Sequence, residues 1–311
     1  MLIIKLMGGL GNQMQQYALC RKLQTLGREA KLDTSWFEDE KLQKSVLAPR
    51  SLELRYFRNL SLQTASAEEI RKVRGASTLP AKAFRRLTGK TTVFTESKMY
   101  HPEIFSMDGR YLEGYFACNK YYADILPLLR EEFVFPKSKD PARALRNKEV
   151  IRQMEDASEI SVSIHLRRGD YLAKENAALL GGICTPAYYD GAVRFLEQKA
   201  EGTEKKLHFY VFSDDPEFAR QCRFGTQEEE MTVCDWNKDD ESLLDMDLMS
   251  HCQWNIAANS TFSFWGGRLN PRADAVRIRP LRHRNNQIPE AAVMKELWEG
   301  WTLIDLDGKV V

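Results

Sequence analysis

The segment SIHLRRGDY (163–171) sets two adjacent arginines, a histidine and an aspartate directly after an apolar run. An arginine guanidinium is a permanently charged planar fork that meets two oxygens at once, which is what a diphosphate presents. ISVSIHL (160–166) reads as a buried strand, so Arg167, Arg168 and Asp170 emerge at its carboxyl end. That is the edge where open α/β sheets bind ligands. Neighbouring residues of an extended segment point opposite ways, so one arginine is expected to face a ligand and the other to secure the loop. The bland alternative is a surface salt bridge between Arg168 and Asp170. His165, at the strand end, is placed to meet a base or a phosphate. Arg168-Gly169-Asp170 is also the tripeptide of adhesion ligands, but that use needs an exposed loop, and this one follows a buried strand.

Two further segments put polar groups at strand ends. NIAAN stops at Asn259, and Ser260 or Thr261 suits the N-cap of a helix carrying Phe264, Trp265 and Leu269. A helix N-terminus offers unbonded N–H groups and a positive dipole end, a ready anion site. Capping explains one hydroxyl; three of them (Ser260, Thr261, Ser263) beside Asn259 lean toward phosphate. In FSDD (212–215), one aspartate caps the helix that starts at Pro216, and the other is available to a base edge or a ribose. Asp245-Met246-Asp247 has the D-x-D form of some metal-dependent sugar-nucleotide enzymes. Leu243, Leu244, Asp247, Leu248, His251 and Cys252 fall at helical spacing, however, and helix residues two apart share no face. No metal is expected. His101, His208, His251 and His283 show no ligand pattern.

The chain start, MGGLGN (7–12), follows the strand LIIKL (2–6) and precedes the helix 13–27, the layout of a dinucleotide fingerprint. Asp33, 22 residues after Gly11, stands near where a ribose-binding acid belongs. An NAD(P)-dependent oxidoreductase is therefore the rival reading. Against it, the third small position is filled by Met14, and Asn12 and Gln13 add amides suited to sugar hydroxyls.

These segments must be carried by a suitable scaffold. Strands and helices alternate along the chain, arguing for α/β architecture with parallel sheets. At 311 residues two domains are expected, divided as 1–155 and 156–311. The aromatic run Tyr111 to Tyr122 reads as core. A net charge of +1 removes the global electrostatic reason to expect nucleic acid as a partner. Six scattered cysteines without C-x-x-C, and no apolar run long enough for a signal core or a membrane span, suggest a reduced, cytoplasmic protein. Residues 71–90 hold seven basic and no acidic side chains. They are read as a solvated surface, with a basic face toward an anionic membrane or lipid-linked substrate as the alternative.

Taken together, HLRRGDY, NSTFSFWGG and GGLGNQM resemble the bacterial α-1,2-fucosyltransferases of glycosyltransferase family 11 over nearly the whole chain. HLRRGDY matches the H-x-R-R-x-D motif shared by α-1,2- and α-1,6-fucosyltransferases. NSTFSFWGG departs from N-S-[ST]-F-S-W-W at Phe264. The resemblance implies a GT-B-like fold of two Rossmann-like domains, the first on the acceptor side and the second binding GDP-β-L-fucose. It implies inverting transfer of L-fucose to the 2-hydroxyl of a terminal galactose on a glycan, without a metal cofactor. By that analogy Arg167 grips the diphosphate with Arg168 beside it, His165 lies near the nucleotide, and Asp214 contacts it. Asn259, Ser260, Thr261 and Ser263 would line the phosphate end, and Gly9, Gly11, Asn12 and Gln13 the sugar and acceptor side. The base is Asp170 or Glu175, the latter ten residues after His165 as in the α-1,6 enzymes. A non-catalytic glycan-binding protein of the same fold is the third reading, and peripheral contact with the inner membrane face is an option.

Overall fold

A computed structural model describes residues 1–46, 49–75, 92–224 and 230–311, with all their side chains except those of Asp170, Glu175 and Glu230. Most of the basic stretch 71–90 therefore lies outside the described residues. The chain divides into two compact units, Met1–Val134 and Phe135–Val311. Among the described residues no helix is long and apolar enough to cross a membrane.

In the first unit, β1 (Leu2–Lys5), β2 (Ala30–Asp33), β3 (Val93–Thr95) and β4 (Tyr111–Glu113) form a sheet in the order β2-β1-β4-β3. Every pairing is parallel. Leu2, Ile3 and Ile4 are fully buried because β1 is flanked on both sides. This is why a continuous apolar run rather than an alternating one marks the strand. The helix Leu10–Thr25 leads from β1 to β2, and the later strands add on the opposite side of β1. The winding directions thus diverge between β1 and β4. Tyr111, Phe116, Tyr121 and Tyr122 are fully buried, the core role expected of them.

The second unit holds β5 (Ile160–Leu166), β6 (Leu207–Ser213), β7 (Glu230–Cys234), β8 (Trp254–Ile256), β9 (Arg277–Pro280) and β10 (Thr302–Ile304). Their order is β10-β9-β8-β5-β6-β7, again parallel throughout. All seven residues of β5 are buried. From β5 the chain builds outward to β7, then returns to lay β8, β9 and β10 on the other side. The divergence lies between β5 and β8. The helix Pro141–Met154, begun by Asp140 accepting the Ala142 N–H at 2.9 Å, places Val150 and Met154 in a core with Tyr210, Phe212 and Leu248. That helix belongs to the second unit, so the division falls after Val134, upstream of the expected 155.

Candidate functional site

The carboxyl edge of the second sheet collects the three segments singled out by residue type. Leu166 pairs with Ser213 of β6, and Ile164 with Ile256 of β8, so the loops that follow these strands emerge side by side. An edge where winding directions diverge is the usual ligand crevice of an open α/β sheet.

Each arginine pairs with its own aspartate there. Arg167 Nη1 lies 2.9 Å from Asp214 Oδ2, its guanidinium is 5.5 Å from the Tyr171 ring centroid, and its side chain keeps 24% exposure. Arg168 Nε pairs with Asp215 Oδ2 at 3.1 Å, its guanidinium sits 3.6 Å from the Phe218 ring centroid, and its side chain keeps 31% exposure. Asp215 also caps the helix Pro216–Gln221, accepting the Phe218 N–H at 3.1 Å. Asp214 accepts the Arg168 N–H at 2.9 Å and thereby ties the loops after β5 and β6 together. Sequence reasoning missed Gly169. A Cβ there would collide with the Asp214 carboxylate, so only glycine allows this pairing.

His165 is buried, and its Nδ1 has no hydrogen-bond partner among the described residues. Burial first, and the nearby Arg167 charge second, depress its pKa to about 3, so the ring is neutral. It lies 5.8 Å from the Phe262 ring, and its backbone carbonyl accepts the Tyr189 hydroxyl at 2.8 Å. A buried polar atom left unpaired at a ligand edge calls for an occupant, whether substrate or water.

At the β8 end the predicted residues separate into braces and open groups. The Asn259 amide donates to the carbonyls of Leu180 (3.0 Å) and His283 (3.2 Å), and the Cys184 thiol faces its oxygen at 3.5 Å. Its own carbonyl accepts the Tyr171 hydroxyl at 3.0 Å. Asn259 is therefore a brace, its side chain spent inside the protein. Ser263 is another, donating back to Ser260 O at 3.1 Å. By contrast, Ser260 makes no side-chain cap bond, and the first helical bond runs from Phe264 N–H to Ser260 O. The leading N–H groups of the helix Thr261–Leu269 are left without a side-chain cap, and Ser260 and Thr261 stand beside them. Gly266 and Gly267 let Met249 and Trp301 pack against this helix, since Cβ atoms would lie 2.7 and 2.8 Å from them. Phe264 fills its place among Trp298 (5.0 Å), Trp301 (5.9 Å) and the Arg279 guanidinium (4.6 Å).

The backbones of Asp170 and Glu175 fall in the turn Gly169–Leu172 and the helix Lys174–Leu180; their side chains lie outside the described residues. Asn285, another residue without a sequence signal, holds the end of that helix by donating to Leu179 O (2.8 Å), Ala178 O (3.2 Å) and Gly181 O (2.8 Å). The D-x-D aspartates share the helix Leu243–His251 but face different partners. Asp245 accepts from Asn237 at 2.9 Å, with burial pushing its pKa up to about 8, while Asp247 lies 3.6 Å from His251. Among the described residues no three potential metal ligands cluster.

The corresponding edge of the first sheet is differently furnished. Gly8 has φ +80°, and a Cβ there would meet the Asn12 amide at 2.7 Å. Gln13 is fully buried, its Nε2 donating to Gly8 O and Ser51 O, both at 2.9 Å. Its Oε1 accepts the N–H groups of Glu53 (2.9 Å) and Leu54 (3.3 Å). Every polar atom of Gln13 is committed, which removes it from the expected sugar contacts; Asn12 keeps partial exposure at the loop. Gly11 is buried in the helix, and Gly9 lies beside Arg50, whose Nε is 3.7 Å from where a Cβ would be. Gln16 bridges the diverging strands by accepting from Met7 N–H and donating to Gly114 O, both at 2.9 Å.

The dinucleotide reading fails on this geometry. Asp33 is buried and satisfied by the Tyr111 hydroxyl at 2.5 Å and the Ser35 N–H at 2.9 Å. Met14 is fully buried in the position where that fingerprint needs a small residue.

Comparison with known proteins agrees with a sugar-transfer site. The chain is 31% identical over 298 residues to the O-antigen biosynthesis glycosyltransferase WbnK of Escherichia coli, covering 89% of this chain and 93% of that one. It is 28% identical to an alpha-1,2-colitosyltransferase of Escherichia coli, covering 89% and 90%. Superposition on the fucosyltransferase NodZ from Bradyrhizobium gives a TM-score of 0.47 at 13% identity, covering 89% and 94%. The family model for glycosyl transferase family 11 matches residues 1–302, and the chain belongs to that family.

Proposed function

We propose that the protein transfers L-fucose from GDP-β-L-fucose to the 2-hydroxyl of a terminal galactose, with inversion at the anomeric carbon. The observation that carries the donor half is the placing of Arg167, held by Asp214, and of a helix N-terminus that no side chain caps on the diverging edge of the second sheet. As the fucose–phosphate bond breaks, negative charge grows on GDP while the sugar becomes oxocarbenium-like. Fixed positive groups at the β-phosphate stabilise that charge without reorganising. Arg167 and the N–H groups near Thr261 take this role, which in other enzymes falls to a divalent metal. Asp214 aims the fork and is itself displaced or shared when the diphosphate enters. His165, neutral and with Nδ1 unspent, offers a hydrogen bond rather than a charge to the nucleotide. A carboxylate accepts the proton of the attacking hydroxyl, Asp170 and Glu175 being the two that the donor-side motif supplies.

The α-1,2 linkage is supported by the name of the colitosyltransferase relative, which also makes a colitosyl donor the specific second reading. The test incubates the protein with GDP-fucose or GDP-colitose and with lactose or a galactose-β-1,3-linked disaccharide. Released GDP and the acceptor's mass gain are then measured. A deoxyhexose gain, insensitive to EDTA, is expected with GDP-fucose. Gain only from GDP-colitose replaces the donor, and loss of activity in EDTA refutes the metal-free reading.

A further inference from the structure

We propose that the carboxyl edge of the first sheet is a glycan subsite, where Trp36 and Tyr115 hold the apolar face of a galactopyranose ring beside the glycine loop. This rests on the sugar-transfer reading above and adds two aromatic residues that no motif signalled. Every residue of the subsite belongs to the first unit. β1 lies between β2 and β4, so the turn after β2 and the loop after β4 flank the loop after β1. Lys5 pairs with Asp33, and Ile4 with Leu112, so the three segments leave the sheet at one level. Neighbouring strands lie about 4.8 Å apart, which sets the two flanking backbones about 10 Å apart, with room for a sugar ring between them. Gly8 and Gly9 put no side chain into that space. Trp36, just beyond β2, and Tyr115, just beyond β4, are both half-buried.

Both residues sit on backbone that is fixed from more than one side. Glu96 Oε2 accepts the N–H groups of Tyr115 (2.8 Å) and Phe116 (2.9 Å), and Gln16 Nε2 donates to Gly114 O at 2.9 Å. Phe116 is held at φ +50°, a left-handed conformation uncommon outside glycine. Strain of this kind persists where the surroundings enforce it, and it gathers at ligand sites. On the other flank, Gln43 donates to Trp36 O and accepts the Arg50 N–H, both at 2.9 Å. Arg50 Nε lies 3.7 Å from where a Gly9 Cβ would be, which brings a guanidinium to the glycine loop. The Phe37 ring meets Trp36 edge-on, with centroids 5.0 Å apart and planes at 83°. Core packing explains Phe116, fully buried with its ring 5.7 Å from Tyr121. It does not explain a strained backbone that leaves the neighbouring Tyr115 partly in solvent. A galactose ring has an apolar face, made by the C–H groups of carbons 3, 4 and 5, because its 4-hydroxyl is axial. Aromatic rings cover such a face, and the hydroxyls at its rim are left for donors such as Arg50 and the Asn12 amide.

The experiment titrates the full chain with lactose and with the galactose-β-1,3-linked disaccharide, with and without GDP, and reads binding by saturation-transfer difference NMR. GDP affinity and Tm are measured on every variant. In wild type, transfer should be strongest to the galactose protons on carbons 3, 4 and 5. Trp36→Ala and Tyr115→Ala should each weaken galactoside binding by about five- to tenfold, with GDP affinity within about twofold of wild type and Tm little changed. Tyr115→Phe should bind within about twofold of wild type, because the ring rather than the hydroxyl meets the sugar. If Trp36→Ala does not fold, Trp36→Phe and the two Tyr115 variants decide. Galactoside binding unchanged in both alanine variants, an equal loss in Tyr115→Phe and Tyr115→Ala, or a GDP loss equal to the galactoside loss overturns the subsite. So does a wild type that binds neither galactoside in either condition. Galactoside binding that both alanine variants weaken, in a wild type that transfers sugar from neither GDP-fucose nor GDP-colitose, supports the subsite and overturns the transfer reading.

Discussion

Each sheet has one place where its winding directions part, between β1 and β4 in the first unit and between β5 and β8 in the second. The strand orders differ, β2-β1-β4-β3 against β10-β9-β8-β5-β6-β7, yet each leaves one such edge, and the two edges are furnished differently. In the second unit the parting edge carries Arg167, a neutral His165 and a helix N-terminus without a side-chain cap. In the first, two buried glutamines fasten the edge to itself. A parallel sheet offers a crevice wherever its winding diverges, but side chains decide whether a diphosphate's charge is welcome there. The difference explains why a glycine-rich loop after the first strand is not the nucleotide site of this chain.

Arg167→Ala is the largest way to break the contrast. Removing a charge aimed at the leaving group should cut transfer by about 10²–10³-fold and weaken GDP binding, with Tm little changed. Asn12→Ala in the first unit should leave GDP affinity within about twofold, since the comparison gives that loop no diphosphate role. Equal GDP losses in the two variants, read by titration calorimetry, would erase the distinction.

The bracing in the first unit has its own signature. Gln16→Leu keeps volume but strips partners from the Met7 N–H and the Gly114 carbonyl, at a cost of about 1–3 kcal/mol for each buried group left unsatisfied. Thermal unfolding should show a lower Tm, while GDP affinity holds. Gly169→Ala should do the reverse. Its Cβ displaces the Asp214 carboxylate, so donor kcat/KM is expected to fall by about tenfold with only a modest change in Tm. A Gly169→Ala enzyme with unaltered donor kinetics would mean that the Arg167–Asp214 pair does not aim the fork.

Much of this contrast was legible in the residues, for identifiable reasons. β5 stands at the bounds read from the sequence because its alternation of apolar and polar residues is unbroken. The capping aspartate followed from the Ser-Asp-Asp-Pro order. β9 was not legible: RIRP carries two arginines, and the burial of Arg279 depends on its Nε bond to Pro280 O at 3.0 Å and its packing against Phe264 and Trp298. The misreadings of Asn259 and Gln13 share one cause. An amide's type announces hydrogen bonds but not their partners, and carbonyls from segments remote in sequence claim both side chains. Gly169 and Asn285 were invisible for a related reason. Their roles exist only relative to Asp214 and to the helix Lys174–Leu180, which lie elsewhere in the chain.

The smallest predicted effect concerns acid, and it too separates the units. His165 and His283 both lie in the second unit, and burial, aided by nearby arginines, depresses each pKa to about 3. The folded state keeps these rings neutral, whereas the unfolded chain takes up protons below about pH 6.5. Their contribution to stability is therefore complete above that pH and is lost as pH falls from about 6.5 toward 3, by up to about 1.4 kcal/mol per pH unit for each ring. Asp245, pushed up to about 8, acts oppositely: its contribution is complete below about pH 3.8 and is lost as pH rises toward 8. From pH 6.5 down to 4 two histidines oppose one aspartate, so acid should loosen the second unit. Because two units need not unfold together, a single Tm would blur the result. Amide hydrogen exchange at pH 7 and pH 5, corrected for intrinsic rates, resolves them. Protection in β5, β6 and β8 should drop more than in β1 and β2, and His165→Gln should remove most of that excess, because His283 and Asp245 then nearly offset one another. A uniform drop in both sheets would show that these histidines are not what makes the second unit sensitive to acid.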